Sequence, residues 1–245
     1  MPYFSIQNSH NKKIIGKYPQ TKDINYNCHV WDDPKFVGHI NFEKVDFEPI
    51  TANAILDPKA KQTDLVNANG AMGFSNKLLV SSKLKTILEK NRLSGMQFFK
   101  APIIQNNITV NDYWILNMYE FNHEYIDVSK SMAYCHKQTE DYNISFKTEK
   151  ILLEINNLND FMKYFEIAKP KLEMVNFEKI HFLNLVKENF FALKYVFGAM
   201  YFVSEKIKKE IEVAGCTGIE FQPTELSLNE WTMPGGERER LYGKL

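Results

Sequence analysis

The chain has 245 residues, 44% of them hydrophobic and 13% aromatic, with 30 basic and 30 acidic side chains. That length suits one large domain or two small ones, and the aromatic content excludes a disordered chain. Zero net charge removes the overall electrostatic footprint of a nucleic-acid binder, and three widely spaced cysteines exclude a disulfide framework, pointing to free thiols in a reducing compartment.

The first 35 residues are polar and rich in Asn and Lys, without the apolar stretch of a signal peptide. From Phe36, "FVGHINFEKVDFEPI" partly alternates apolar and polar residues and predicts one or two strands. Residues 1–60 therefore read as a β-containing segment that packs with the rest or stands as a subdomain. "DPKAKQTDLVNANGAMGFSN" (57–76) predicts a loop or short helix. Val80, Leu84, Ile87 and Leu88 then lie on one helical face, with Ser81 as its cap, Gly95 ending it and Met96–Phe98 resuming as a strand. "DYWILNMYEF" (112–121) predicts a strand, and "IDVSKS" a turn in which Asp127 or Ser129 bonds local backbone. "KILLEI" (150–155) reads as a short buried strand. Leu158, Phe161, Met162 and Phe165 predict a helix ending before Pro170, while "KIHFLNLV" and "NFFALKYVF" predict strands. The most apolar run, Phe190–Val203, has 14 residues and carries Lys194, short of the ~20 that span a bilayer. A soluble, cytoplasmic protein is expected, with a loosely held tail over residues 227–245.

One pattern repeats. Val80–Phe98 and Val203–Phe221 align without gaps and share seven identities: Val, Ser, two Lys, Glu, Gly and Phe. Ser204 repeats the cap, Val203, Ile207 and Ile211 the stripe, and Gly218 the turn. The expected class is α+β, one domain with a mixed sheet and a duplicated helix–strand unit.

Reactive constellations are sparse. Cys28 and His29 with Asp32, Asp33 and His39 form the one cluster of metal-ligand types, and Cys135–His136 is a lone pair whose side chains diverge in a strand. No metal or cofactor is expected. His123, Asp127 and Ser131 have the residue types of a hydrolase, without a GxSxG turn. Lys83, Lys85, Lys90, Arg92, Lys206, Lys208 and Lys209 alternate with glutamates, the pattern of a solvated helix face rather than a nucleic-acid surface. In the tail, Trp231 stands near Glu237, Arg238, Glu239 and Arg240, a composition used at partner interfaces.

Four segments in order, "AKQTDLV", "LLVSSKLKTILE", "DYWILNMYEFNHEYIDVSKS" and "YFVSEKIKKEIEVAGCTGIEFQP", resemble the bacterial immunity protein 11 family over roughly Ala60–Pro223. That resemblance implies a non-enzymatic antidote that binds a polymorphic toxin encoded beside it, with no catalytic residue or cofactor. It also implies that Ser81, Gly95, Asp127, Ser204, Gly218 and Phe221 serve as caps, turns and core. A hydrolase, or an enzyme that reverses a toxin-made modification, centred on His123, Asp127 and Ser131 is the alternative. Oligomeric state is left open.

Overall fold

The computed structural model describes residues 1–68, 77–138, 148–197 and 200–244. In chain order the first half contains β1 (Tyr3–Asn8), α1 (Lys12–Ile15), β2 (Thr21–Asn25), β3 (Asn53–Leu56), β4 (Leu65–Val66), β5 (Leu78–Ser81), α2 (Ser82–Asn91), β6 (Met96–Lys100), β7 (Ile103–Gln105), β8 (Ile108–Val110) and β9 (Tyr113–Met118). The second half contains β10 (Met132–Gln138), β11 (Thr148–Leu152), α3 (Leu158–Ala168), β12 (Met174–Lys179), β13 (Phe190–Ala192), β14 (Tyr201–Ser204), α4 (Glu205–Val213), β15 (Ile219–Pro223), α5 (Leu228–Thr232) and α6 (Glu237–Tyr242). The class is α+β. Strands form four sheets, ordered β13-β14-β1-β15, β4-β5-β9-β6, β2-β3-β7-β8 and β11-β10-β12, and the β3–β7 pair is parallel.

Three of these sheets share one construction, a β-α-β unit with an antiparallel strand inserted between its two parallel strands. β5-α2-β6 encloses β9, β14-α4-β15 encloses β1, and β11-α3-β12 encloses β10. The first two units match closely. Ser81 and Ser204 both sit at φ −69 and ψ 162, and each hydroxyl accepts the backbone N–H three residues on, from Leu84 and Ile207. Gly95 and Gly218 both have φ 83, the left-handed region where a Cβ is costly. Helices α2 and α4 pack together, and Leu84, Leu88, Ile207 and Ile211 join one buried core cluster.

The duplication reaches beyond the helical repeat. Tyr113 faces Ser81 as Tyr3 faces Ser204, and their hydroxyls donate to Thr63 O (3.0 Å) and Glu188 O (3.1 Å). On the outer side, Ser81 Oγ donates to Asp64 Oδ1 at 2.7 Å and Ser204 Oγ to Asn189 Oδ1 at 2.8 Å. Lys85 lies 4.7 Å over Trp114, and Lys208 lies 4.3 Å over Phe4. Each unit therefore comprises four strands and a helix. The central strand of the second unit, β1, comes from the other end of the chain. Asp64 also joins the units, accepting Thr217 N at 2.8 Å while Lys83 approaches to 3.2 Å.

The structure corrects several expectations. The N-terminal 60 residues are divided among sheets: β1 is a central strand beside β14 and β15, while β2 and β3 extend the sheet of β7 and β8. They do not form a separate subdomain. Residues 36–50 form no strand; Phe36 and Ile50 make an isolated bridge, and Gln97 holds Val45 through both its N–H and its C=O. Val37 and Ile40 are buried there from a 3-10 turn and the residue after it, so alternation recorded burial without a ladder. "KILLEI" does give β11, but as an exposed edge, with Ile151 37% and Leu152 53% exposed. "KIHFLNLV" leaves β12 at Lys179. The run Phe190–Val203 supplies β13 and β14, whose Phe190, Phe191, Tyr201 and Phe202 are almost wholly buried, each burial stabilising by about 1.5–3 kcal/mol. Among the described residues no helix is long and apolar enough to cross a membrane. Residues 69–76 of the expected loop or helix lie outside the described residues.

The tail is not loose. Ser227 and Glu230 form a capping box at α5, and Glu230 Oε1 pairs with Lys179 at 2.6 Å. Trp231 is 1% exposed and meets Tyr242 edge-on, while Tyr242 Oη accepts Phe221 N at 3.0 Å. Arg238, 2% exposed, lies against the equally buried Glu220: its Nη2 donates to Oε1 at 2.8 Å and its Nε is in ionic contact with Oε2 at 2.7 Å. A Trp–Arg pair set among polar residues looked like a surface, yet Arg238 is paired with Glu220 of β15 and Trp231 packs on Tyr242 within the tail.

Candidate interaction surface

Burial removes Trp231 and Arg238 from the partner surface expected in the tail. Glu237, Glu239 and Arg240 remain at least partly accessible, but Glu239 Oε2 is taken by Gly235 N at 2.9 Å. Deleting the tail would strip β15 of its cover, so truncation reports on stability before it reports on binding.

The three residues of the hydrolase alternative do not converge. Ser131 Oγ donates to the backbone oxygen of Asp127 at 2.8 Å and accepts His181 N at 3.0 Å. The Asp127 carboxylate accepts Ser129 Oγ at 2.7 Å and pairs with Lys130 at 2.9 Å, contacts that hold its carboxyl below the usual range, the Ser129 hydroxyl most of all. His123 Nε2 accepts Lys194 N at 3.0 Å, and its ring lies between Phe121 and Tyr195. Burial pushes its pKa down, keeping the imidazole neutral. The arrangement is a turn and an aromatic stack, with no hydroxyl poised beside a base.

Nor do the helix lysines form an open cationic face. Lys85 pairs with Glu89, Lys209 with Glu205, Lys90 with Glu210 across the helices, and Lys83 with Asp64. Among the described residues no three His, Cys, Asp or Glu side chains are grouped so as to hold a metal. In β10, Cys135 turns towards Glu173 and His136 to Glu178, as alternation along a strand requires.

The sequence noted His136 only beside Cys135 and gave no sign of Lys150 and Glu178, because the three come from three strands 42 residues apart at most. Glu178 is 6% exposed; His136 Nε2 lies 3.1 Å from one of its oxygens, and Lys150 binds the other. The Lys150 ammonium also lies 4.0 Å over the Tyr134 ring, and His136 stacks on Phe197. This cluster neutralises a buried carboxylate and fixes the outer face of the β11-β10-β12 sheet. The adjoining space, between Ser5, Gln222, Thr224 and Phe197, is about 10 Å³, too small for a substrate.

What this sheet does expose is apolar. Of the eighteen large hydrophobic side chains exposed among the described residues, six (Ile151, Leu152, Tyr164, Ile167, Leu172 and Met174) fall in the 24 residues from β11 to β12. They do not share one face: alternation puts Leu152 and Met174 on the side of Lys150 and His136, and Ile151 on the α3 side with Tyr164 and Ile167, so the apolar patch at the helix consists of those last three side chains. Helix α3 turns Phe161 inward, stacked at 4.4 Å on Phe177, which leaves Tyr164 and Ile167 on its outer side. Those two line a shallow groove of about 420 Å³ with Glu154, Asn156, Asp160 and Lys163. Lys163 is paired with Asp160 at 3.2 Å, so Glu154 gives the groove a negative end. Comparison with protein-family models and with curated proteins finds no match to this chain.

Proposed function

We propose that this protein is a cytoplasmic immunity protein, a non-enzymatic antidote that binds and neutralises a toxin encoded beside it. The observation that carries the reading is the exposed apolar side chains Ile151, Tyr164 and Ile167 on the α3 side of the β11-β10-β12 sheet, the last two lining the groove. The ordered segments between Ala60 and Pro223 that resemble the immunity protein 11 family support it. An interface of the standard size needs roughly 800 Å² from each partner. The β11–α3–β12 face supplies its apolar centre, and Lys163, Glu154 and Asp160 supply a polar rim.

The test is a protection assay coupled to a pull-down. The toxin from the neighbouring gene is expressed alone, with this protein, and with Ile167→Asp and Tyr164→Asp variants, using Leu93→Asp as a control on a distant exposed turn. Protection with a stoichiometric complex, lost in the first two variants and kept in the third, is the expected result. Protection without a complex would replace binding by catalysis, and absence of protection would overturn the reading.

A further inference from the structure

The two closely matched units carry an outer strand that the third, among the described residues, does not. In the first, β4 pairs antiparallel with the outer edge of β5; in the second, β13 does the same for β14. In the third unit β11 holds the position of β5 and β14, at the end of the β11-β10-β12 sheet, and among the described residues nothing pairs with its outer side. Leu153 N bonds Ala133 O, so alternation along the ladder directs the backbone groups of Leu152 and Lys150 outward.

The third unit is complete without a fourth strand. In the first two, the strand brings in Asp64 and Asn189, which accept the hydroxyls of the capping serines. In the third, Asn157 caps α3 by accepting Asp160 N, and the Asp160 carboxylate accepts from Asn156 N and Asn157 Nδ2. Local groups thus do what the extra strand does elsewhere.

Other sheet edges are blunted, as edge strands require. β2 carries a register shift and the charged Lys22 and Asp23, β8 is three residues long, β6 is covered by the Gln97–Val45 bonds, and β15 by Tyr242 and the Ile180–Thr224 bond. β11 is five residues in unbroken register with β10. Its one lysine, Lys150, is folded onto Glu178 and the Tyr134 ring rather than standing off the edge.

We propose that an extended segment of the toxin adds to β11 as an antiparallel strand, in the place that β4 takes beside β5 and β13 beside β14. This rests on the immunity reading above. Only an extended polypeptide matches outward N–H and C=O groups spaced at alternate residues, and strand addition of this kind draws affinity from the main chain and specificity from alternate side chains. On the α3 side alternation sets Glu149 and Ile151 beside Tyr164 and Ile167, so the segment carries an apolar residue opposite Ile151 and basic residues towards Glu149 and Glu154.

The experiment measures binding of the neighbouring toxin to the unaltered protein and to Leu152→Pro, together with amide exchange of the unaltered protein, free and bound. Proline at 152 removes an outward donor and leaves the bonds to β10 intact, a substitution that an edge strand tolerates. The expected result is a loss of affinity of roughly tenfold or more in Leu152→Pro, with the Lys150 and Leu152 amides fast in the free protein and slowed in the complex. Equal binding by both proteins with unchanged exchange would sink strand addition and leave the toxin-binding reading standing. No binding by the unaltered protein would sink both. Amides already slow in the free protein would mean that the edge is filled within the chain, and would also overturn the proposal. Should Leu152→Pro fail to fold, the exchange data on the unaltered protein decide.

Discussion

Replacing Arg238 by Ala tests whether the tail is built into the fold. Glu220 and Arg238 are 1% and 2% exposed, so neither charge has water to fall back on. Breaking a buried pair from one side costs about 3–5 kcal/mol, because the remaining charge is left uncompensated. The lower end applies, since Ser9 Oγ and His10 N still donate to Glu220 Oε1, each at 3.0 Å. A loss of about 3 kcal/mol in a chain of this size lowers Tm by about 6–12 °C. Urea unfolding followed by Trp231 fluorescence reads this out, with Glu220→Gln/Arg238→Met as the companion variant. The double replacement removes both charges and should recover most of the loss. A cost under about 1 kcal/mol, the range of exposed pairs, would show that water reaches Glu220 and that the clamp is not sealed.

Ser81→Ala and Ser204→Ala should each cost about 1–2 kcal/mol by chemical denaturation, with Ser81→Ala the worse because the bond it removes is to the charged Asp64, which keeps only Thr217 and Lys83 on its other oxygen, rather than to the neutral Asn189; the reverse order would refute that reasoning. Gly95→Ala should cost about 1–2 kcal/mol from its left-handed backbone, plus the displacement of the buried Arg92 guanidinium and of Glu120, whose Nη2 and Cβ the new Cβ would approach to 2.5 and 2.8 Å. Gly218→Ala should cost a further 1–3 kcal/mol or so, because its Cβ would run into the backbone oxygen of Leu65; equal melting temperatures for the two variants would contradict this. The Glu230 carboxyl is pulled from 4.5 down to about 2, first by Lys179 and then by the Ser227 N–H. Its folded pKa is the lower one, so its contribution is present above pH 4.5 and is lost as pH falls from 4.5 towards 2. Trp231 fluorescence should report this acid transition, and Glu230→Gln should flatten it; identical pH profiles would exclude the mechanism.

Sequence patterns exposed α2, α3 and α4 because a helix is a local object, whereas α1, α5 and α6 went unread, the last two in a stretch taken for a loose tail. The cap, stripe and glycine of α2 and α4 stand at fixed spacings, and the structure places all of them where spacing puts them. The strand at 112–121 was legible for the same reason. One hairpin was missed although its signal was present: "QNNI" joins β7 to β8 with Asn106 and Asn107 both at positive φ, as the tight two-residue turns need. Conversely, "IDVSKS" was correctly read as a turn, since Asp127 and the residues that bond it lie within four positions.

Pairing between distant segments left no comparable trace. Tyr3 and Tyr113 do the same work, yet nothing in "MPYFSIQN" announces a central strand, because a strand lying antiparallel to both neighbours can enter from either end of the chain. The tail shows the same limit: Arg238 is buried by Glu220 and Trp231 packs against Tyr242, and composition is blind to who the neighbour is. The exposed edge of β11 is a third case, since "KILLEI" is apolar enough for a core and only the sheet order decides that one side stays open. By itself, then, the sequence determined α2, α3 and α4, the serine caps and turn glycines of α2 and α4, and the doubling of that unit, all set by contacts within a few residues. The tertiary structure alone decided where β1 inserts, that the tail is clamped, and which strand faces outward, because long-range pairing depends on which backbone and charged groups meet once the chain has closed on itself.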